Sequence, residues 1–174
     1  MRVVIASLFV LAAAGCAPGS RIVPPPRAAL PPPVAVTVPV AADWRDWPVT
    51  PGAWTYREDA RGTVAMYGRV GADAVAMLRC DRAGNRVFLS IAGTSAGPMT
   101  VRTSSVMRTV AAGATGGVPP YIAATFAPGD PLLDAMAFSR GRFALTLSGS
   151  LPGAAPVVLP AWAEVGRVVQ DCRG

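Results

Sequence analysis

The sequence predicts a mainly β (α+β) domain: a small antiparallel β-sandwich or barrel with one internal helix and a C-terminal helix. Short apolar runs alternate with turn residues at the spacing of such folds. The 18 glycines and 18 prolines supply many turns, and only two stretches have helical spacing. With 174 residues, the chain has room for one domain beside a leader.

Residues 1–15 have the pattern of an export signal. Arg2 supplies one positive charge, residues 3–14 are apolar, and a run of small residues ends in Cys16. The apolar stretch is too short to span a membrane, which takes about twenty residues. We therefore predict export. An ordinary secretory signal cut at a nearby alanine is the alternative to the lipoprotein signal described next.

The run Ala13-Ala14-Gly15-Cys16 resembles the lipobox of bacterial lipoproteins, with alanine in place of the leucine preferred three residues before the cysteine. The resemblance implies cleavage after Gly15, lipidation of Cys16 with several acyl chains, and stable membrane anchoring. Ala17, where an aspartate would indicate retention in the inner membrane, implies the outer membrane, with the protein facing the periplasm.

Residues 16–42 are predicted to form a lipid-bearing tether. They contain two triple-proline runs and almost no charge. In the extended polyproline conformation, at about 3.1 Å per residue, this segment would span up to roughly 80 Å. A single β-rich domain is predicted to follow over residues 43–174.

Within that domain, strands are expected where apolar residues alternate or cluster between turn residues. In chain order, they are residues 63–70, 73–80, 86–92, 99–103, 121–127, 143–147 and 156–159. One face of the second strand is predicted to carry Ala74, Ala76, Leu78 and Cys80, and one face of the third to carry Val87, Leu89 and Ile91. A tight turn over residues 81–85 joins the second and third strands. Residues 113–117 are glycine-rich but lack the lysine of a phosphate loop, so we predict a flexible loop.

Two helices are expected. The first spans residues 131–140, with Asp130 as its cap, Pro131 in the first turn and Gly141 at its end. The second spans residues 160–171. Its inward face is predicted to carry Trp162, Val165, Val169 and Cys172.

Cys80 and Cys172 each end an apolar face, one on a strand and one on the last helix. We predict a disulfide between them, because an exported domain meets an oxidising compartment. Two buried free thiols or a metal site are the alternatives. Without histidine, two thiols make a poor zinc site, so no metal is expected.

The chain contains no histidine and no lysine, and this absence limits its chemistry. Serine-histidine, cysteine-histidine and Schiff-base catalysis are excluded. We predict a non-catalytic domain without a cofactor. The alternative is a peptidoglycan-modifying enzyme that uses two carboxylates, for which Glu58 and Asp59 are the candidates beside a tryptophan cluster.

The formal net charge of +6 comes entirely from arginines. From Asp43 onward, thirteen arginines face ten acids, so the domain carries about three positive charges. This excess is too small for a nucleic-acid-binding surface, and no nucleic acid is expected.

A candidate binding surface is predicted at the start of the domain. Trp44, Trp47 and Trp54 lie within eleven residues, with Arg57 close behind. Aromatic side chains beside an arginine stack on sugars or hold acidic groups, so an envelope protein or peptidoglycan is the expected partner. The alternative is that these tryptophans close the edge of the core.

Arg140 and Arg142 flank a predicted turn and could hold an anion. Capping the preceding helix and pairing with Asp134 explains them equally well.

Three segments, residues 43–48, 130–143 and 159–173, look like a group of alphaproteobacterial envelope lipoproteins of unknown function. The resemblance covers most of residues 43–174 and implies an envelope location but no activity. The order of strands followed by a cysteine-ended helix is also loosely similar to the invasion-associated locus B family of periplasmic proteins.

Overall fold

The computed structural model describes residues 43–148 and 155–174, all within one compact unit. These residues form short strands, two α-helices and one turn of 3₁₀-helix. The 3₁₀ turn is Trp44–Asp46. The strands are β1 Ala53–Asp59, β2 Gly62–Gly68, β3 Ala76–Asp81, β4 Arg86–Ala92, β5 Met99–Arg102, β6 Met107–Val110, β7 Gly113–Ala114, β8 Tyr121–Phe126, β9 Arg142–Leu147 and β10 Val157–Pro160. The helices are α1 Pro131–Ala137 and α2 Ala163–Asp171.

The described strands form two antiparallel sheets. The first has the order β1-β2-β3-β4-β8-β7, and the second has the order β10-β9-β5-β6. Because residues of both sheets and both helices share one buried core, the mainly β prediction is confirmed. The architecture is a two-sheet sandwich rather than a single closed barrel.

Alternation along the strands gives the first sheet an inner and an outer face. One set of register neighbours on adjacent strands lies in the core: Ala65, Leu78 and Leu89. In the next set, Arg79 and Phe88 point to the outer face. The predicted faces of residues 73–80 and 86–92 are therefore confirmed, because side chains alternate with a period of two.

Helix α2 packs on the inner face of the first sheet, against β1, β2 and β3 and beside α1. Val165, Val168 and Val169 are fully buried there. The predicted disulfide is confirmed: Cys80 on β3 and Cys172 just after the helix are bonded, with Cα atoms 5.4 Å apart.

Trp162 is the exception to the predicted inward helix face. The helix begins at Ala163 instead of residue 160, because Pro160 still belongs to β10. Trp162 therefore takes the extended N-cap position and is 49% exposed. Helical spacing does not apply to a residue that precedes the helix.

Helix α1 is shorter than predicted. Asp130 caps it as expected, since its carboxylate accepts a hydrogen bond from the N–H of Leu132 at 2.8 Å. The helix nevertheless ends at Ala137, so Arg140 lies in the turn beyond it.

Strands β1, β6 and β7 were not anticipated. β1 lies among turn-forming residues, and its inward positions, Trp54 and Tyr56, are separated by polar outward ones. β7 occupies the start of the predicted loop 113–117, where pairing with β8 orders two small residues. The predicted leader, Cys16 and the tether lie outside the described residues.

Candidate binding surfaces

Trp54 does not belong to a surface. It is 5% exposed, and its indole Nε1 donates a hydrogen bond to the carbonyl oxygen of Pro160 at 2.8 Å. Its ring meets that of Tyr67 edge to face, with centroids 5.1 Å apart. Trp54 thus joins β1 of the first sheet to the end of β10 in the second. Its ring is buried and its indole N–H is bonded inside the protein, so Trp54 cannot be part of the predicted binding surface.

Arg57 is exposed, but it lies on the opposite side of β1 from Trp54. It pairs in register with Val64, which in turn pairs with Arg79. This row belongs to the outer face of the first sheet. Arg57 is therefore separated from Trp54 by the strand itself, and the four predicted residues do not form one continuous surface.

Trp44 and Trp47 lie at the two ends of the 3₁₀ turn, and both are half-buried. The carboxylate of Asp43 caps this turn by accepting the N–H of Arg45 at 2.9 Å. Three residues after Trp47, the N–H of Thr50 bonds to a carbonyl of β10 at 2.9 Å. The N-terminal segment is thereby fixed along the second sheet.

Arginines from distant parts of the chain surround these two tryptophans. The Arg142 guanidinium donates to the carbonyl oxygen of Trp47 at 2.9 Å. The Arg102 guanidinium lies 5.9 Å from the centre of the Trp47 ring, and that of Arg45 lies 5.3 Å from the Trp44 ring. Both distances allow cation–π attraction.

Two serines hold the turns that carry these arginines. The Oγ of Ser139 accepts the N–H of Ser104 at 2.9 Å, and the Oγ of Ser104 accepts the N–H of Arg140 at 3.0 Å. The Ser139 hydroxyl also donates to the carbonyl oxygen of Arg142. These bonds join the turn after β5 to the turn before β9. The sequence offered no signal for this connection, because the two serines are 35 residues apart.

Two open cavities mark the place where these elements meet. One, of about 420 Å³, is lined by Asp43, Trp44, Arg45, Trp47 and Arg102. The other, of about 370 Å³, is lined by Trp44, Arg45, Ser104, Arg140 and Arg142. Trp44 and Arg45 line both cavities, which are therefore adjacent, and we call the two together the tryptophan–arginine surface. It comprises Trp44, Arg45, Trp47, Arg102, Arg140 and Arg142.

This surface carries excess positive charge. Asp43 pairs with Arg45 at 3.4 Å. Within residues 43–148 and 155–174, Arg102, Arg140 and Arg142 form no ion pair with a carboxylate, and the Nε of Arg102 is buried without a hydrogen-bond partner. The suggested pairing of the turn arginines with Asp134 is wrong, since Asp134 binds Arg173 instead.

A larger cavity of about 850 Å³, the sheet groove, lies on the outer face of the first sheet. Residues 111–115 line one side of it. Strand side chains line the rest: Met77, Arg79, Phe88, Ser90, Ala123 and Thr125. Its lining is mainly apolar, and the described part of the chain contributes no carboxylate to it.

The arginines of the sheet groove are already paired. Arg79 binds Asp59 through two hydrogen bonds of 3.0 and 2.8 Å, and Arg61 binds Asp81 at 3.0 Å. The Arg79 guanidinium, helped by the N–H of Arg61, lowers the pKa of Asp59 to about 2. An anion entering this groove would have to compete with these carboxylates.

The two carboxylates suggested as catalytic candidates both form ion pairs with arginines. Glu58 pairs with Arg82 at 2.6 Å, and Asp59 with Arg79.

Among the described residues, no group of three metal-ligating side chains is found. The described helices are also too short, or too polar, to cross a bilayer.

Comparisons with protein-family models, with curated proteins and with solved structures found no match to this chain.

Proposed function

We propose that this chain is an exported lipoprotein, anchored through Cys16 to the outer membrane, whose non-catalytic domain binds an envelope component in the periplasm. The disulfide between Cys80 and Cys172 carries this proposal. Structural disulfides form in oxidising compartments outside the cytoplasm. The disulfide also accounts for two of the three cysteines, and the third is Cys16 at the end of the apolar leader.

Binding is favoured over catalysis by the way the ionisable groups are used. With no histidine or lysine in the chain, an enzyme would depend on its carboxylates. The two candidates for that role, Glu58 and Asp59, are paired with Arg82 and Arg79, and the Arg79 guanidinium lowers the pKa of Asp59, which disfavours a protonated general acid there. Aromatic and arginine side chains, by contrast, line open cavities.

The anchor is tested by labelling cells with a fatty-acid analogue and separating membranes from soluble proteins. Wild-type protein should carry the label and sediment with membranes, whereas Cys16→Ser should lose the label and appear in the soluble fraction. Cys172→Ala is the control, because it removes a cysteine without touching the leader, and it should keep the label. Unlabelled wild-type protein, judged by the mass of the purified chain, would contradict the proposal.

A further inference from the structure

We infer that the tryptophan–arginine surface binds a glycan that carries acidic peptides, with sugar rings on Trp44 and carboxylates of the peptides on the arginines. This is the chemistry of the peptidoglycan layer. The inference rests on the proposed function, because it requires a domain that faces the periplasm.

The charge of the surface favours an anionic ligand. Arg102, Arg140 and Arg142 lie around one site and have no carboxylate partner among residues 43–148 and 155–174. Each guanidinium has five N–H donors and binds a carboxylate through two of them.

The sheet groove provides an internal comparison. It is the larger cavity, but Arg61 and Arg79 at its end are bound to Asp81 and Asp59. An anion gains little there without breaking an existing ion pair. On the tryptophan–arginine surface, counting only the residues that the structure describes, Arg45 alone has such a pair, with Asp43 two residues before it.

The shape of the surface favours a chain of sugars over one compact metabolite. Its two cavities adjoin at Trp44 and Arg45, so a ligand that follows both would be elongated. Trp44 is half-buried and lines both cavities, which leaves part of its aromatic side chain available for stacking. Aromatic rings with neighbouring arginines suit a ligand that is both cyclic and acidic.

The arginine-bearing turns are held in place before any ligand arrives. The side-chain hydroxyls of Ser104 and Ser139 connect them by accepting backbone N–H groups, and the Arg142 guanidinium is oriented by the carbonyl of Trp47. A preorganised site loses less conformational entropy on binding, which favours recognition by a few polar contacts.

The test is co-sedimentation of the detergent-solubilised mature protein with isolated peptidoglycan sacculi. Arg140→Glu should weaken binding by roughly tenfold or more, because a charged contact becomes repulsive. Arg69→Glu is the matched control, since Arg69 is exposed and lines none of the three cavities described above. It makes the same change of charge and should bind as wild type does. Trp44→Ala should also weaken binding, because it removes the ring on which the sugar stacks, and unchanged binding by this variant would overturn the placement of the sugars.

The chemistry of the ligand is tested on the same sacculi. Converting their carboxylates to amides should abolish binding, and soluble muropeptides should compete with untreated sacculi. Equal weakening by Arg140→Glu and Arg69→Glu would indicate general charge attraction and would overturn the inference. Displacement by inorganic phosphate but not by muropeptides, at equal ionic strength, would also overturn it. Wild-type protein that carries the lipid but does not co-sediment with sacculi would refute this inference and leave the proposed anchor intact.

Discussion

Asp59 and Arg79 form a two-point ion pair on the outer face of the first sheet, at the end of β1 and in the middle of β3. The N–H of Arg61 also donates to the Asp59 carboxylate, at 3.0 Å. Because these donors favour the charged form, the pKa of Asp59 falls from its ordinary value of 3.8 to about 2. Because of this pair, the free energy of unfolding should depend on pH in the acid range.

Asp59 should stabilise the fold above its ordinary pKa and lose that effect as the pH falls from about 4 towards 2. We expect Asp59→Asn to melt at a lower temperature than wild type at pH 6, and the difference should shrink steadily below pH 4. Melting curves from pH 2 to pH 6 measure this. Asp73→Asn, at an exposed aspartate outside the described ion pairs, should follow the wild-type profile. A constant difference for Asp59→Asn at every pH would contradict the assignment.

Helix α1 depends on one residue at its start. Asp130 caps the helix through the N–H of Leu132 and also binds Arg108 on β6 through two contacts of 2.8 and 2.7 Å. Burial opposes ionisation of Asp130, but these donors outweigh it and lower its pKa. A single carboxylate thus joins the helix to the edge of the second sheet.

Asp130→Ala should lower the free energy of unfolding by about 1–3 kcal/mol, because it removes both the cap and the partner of Arg108. Asp130→Asn should lose less, since the amide oxygen can still accept the Leu132 N–H. Asp134→Ala is the control on the same helix. Its pair with Arg173 is more exposed, so a change of about 1 kcal/mol or less is expected. Equal losses for Asp130→Ala and Asp134→Ala in chemical denaturation would show that the cap is unimportant.

At the scale of the whole domain, contacts between distant residues hold the two sheets and the last helix together. Trp54 bonds to Pro160 across the sheets, and Tyr56 on β1 donates to the carboxylate of Asp171 at 2.7 Å. The disulfide closes the same region over a separation of 92 residues. The C-terminal helix is thus attached to the first sheet by both covalent and polar contacts.

Cys172→Ala should lower the free energy of unfolding by about 4–5 kcal/mol, because a disulfide that closes so long a loop restricts the unfolded chain. Denaturation of periplasmically produced protein measures the loss. Cys16→Ser is the control, since it removes a cysteine outside the pair and should leave the unfolding curve unchanged. Wild-type protein should show no reactive thiol before reduction. A Cys172 that is alkylated in native protein would contradict the pairing.

The sequence by itself determined most elements of the domain and the pairing of its cysteines. Alternation along residues 73–80 and 86–92 predicted which faces enter the core, because each strand has a period of two. Cys80 and Cys172 could be paired because each ends an apolar face. Strand β1 was missed because only two apolar residues, Trp54 and Tyr56, alternate along it beside turn-forming residues. The exposure of Trp162 was missed because this residue precedes the helix and does not follow its spacing.

The tertiary structure alone decided which candidate residues meet. Composition predicted that tryptophans and arginines would dominate any contact surface, but sequence proximity grouped Trp54 and Arg57 with Trp44 and Trp47. Folding buried Trp54 and turned Arg57 to the other side of its strand. It also brought Arg102, Arg140 and Arg142 to Trp44 and Trp47, because strand pairing places side by side residues that are far apart in the chain.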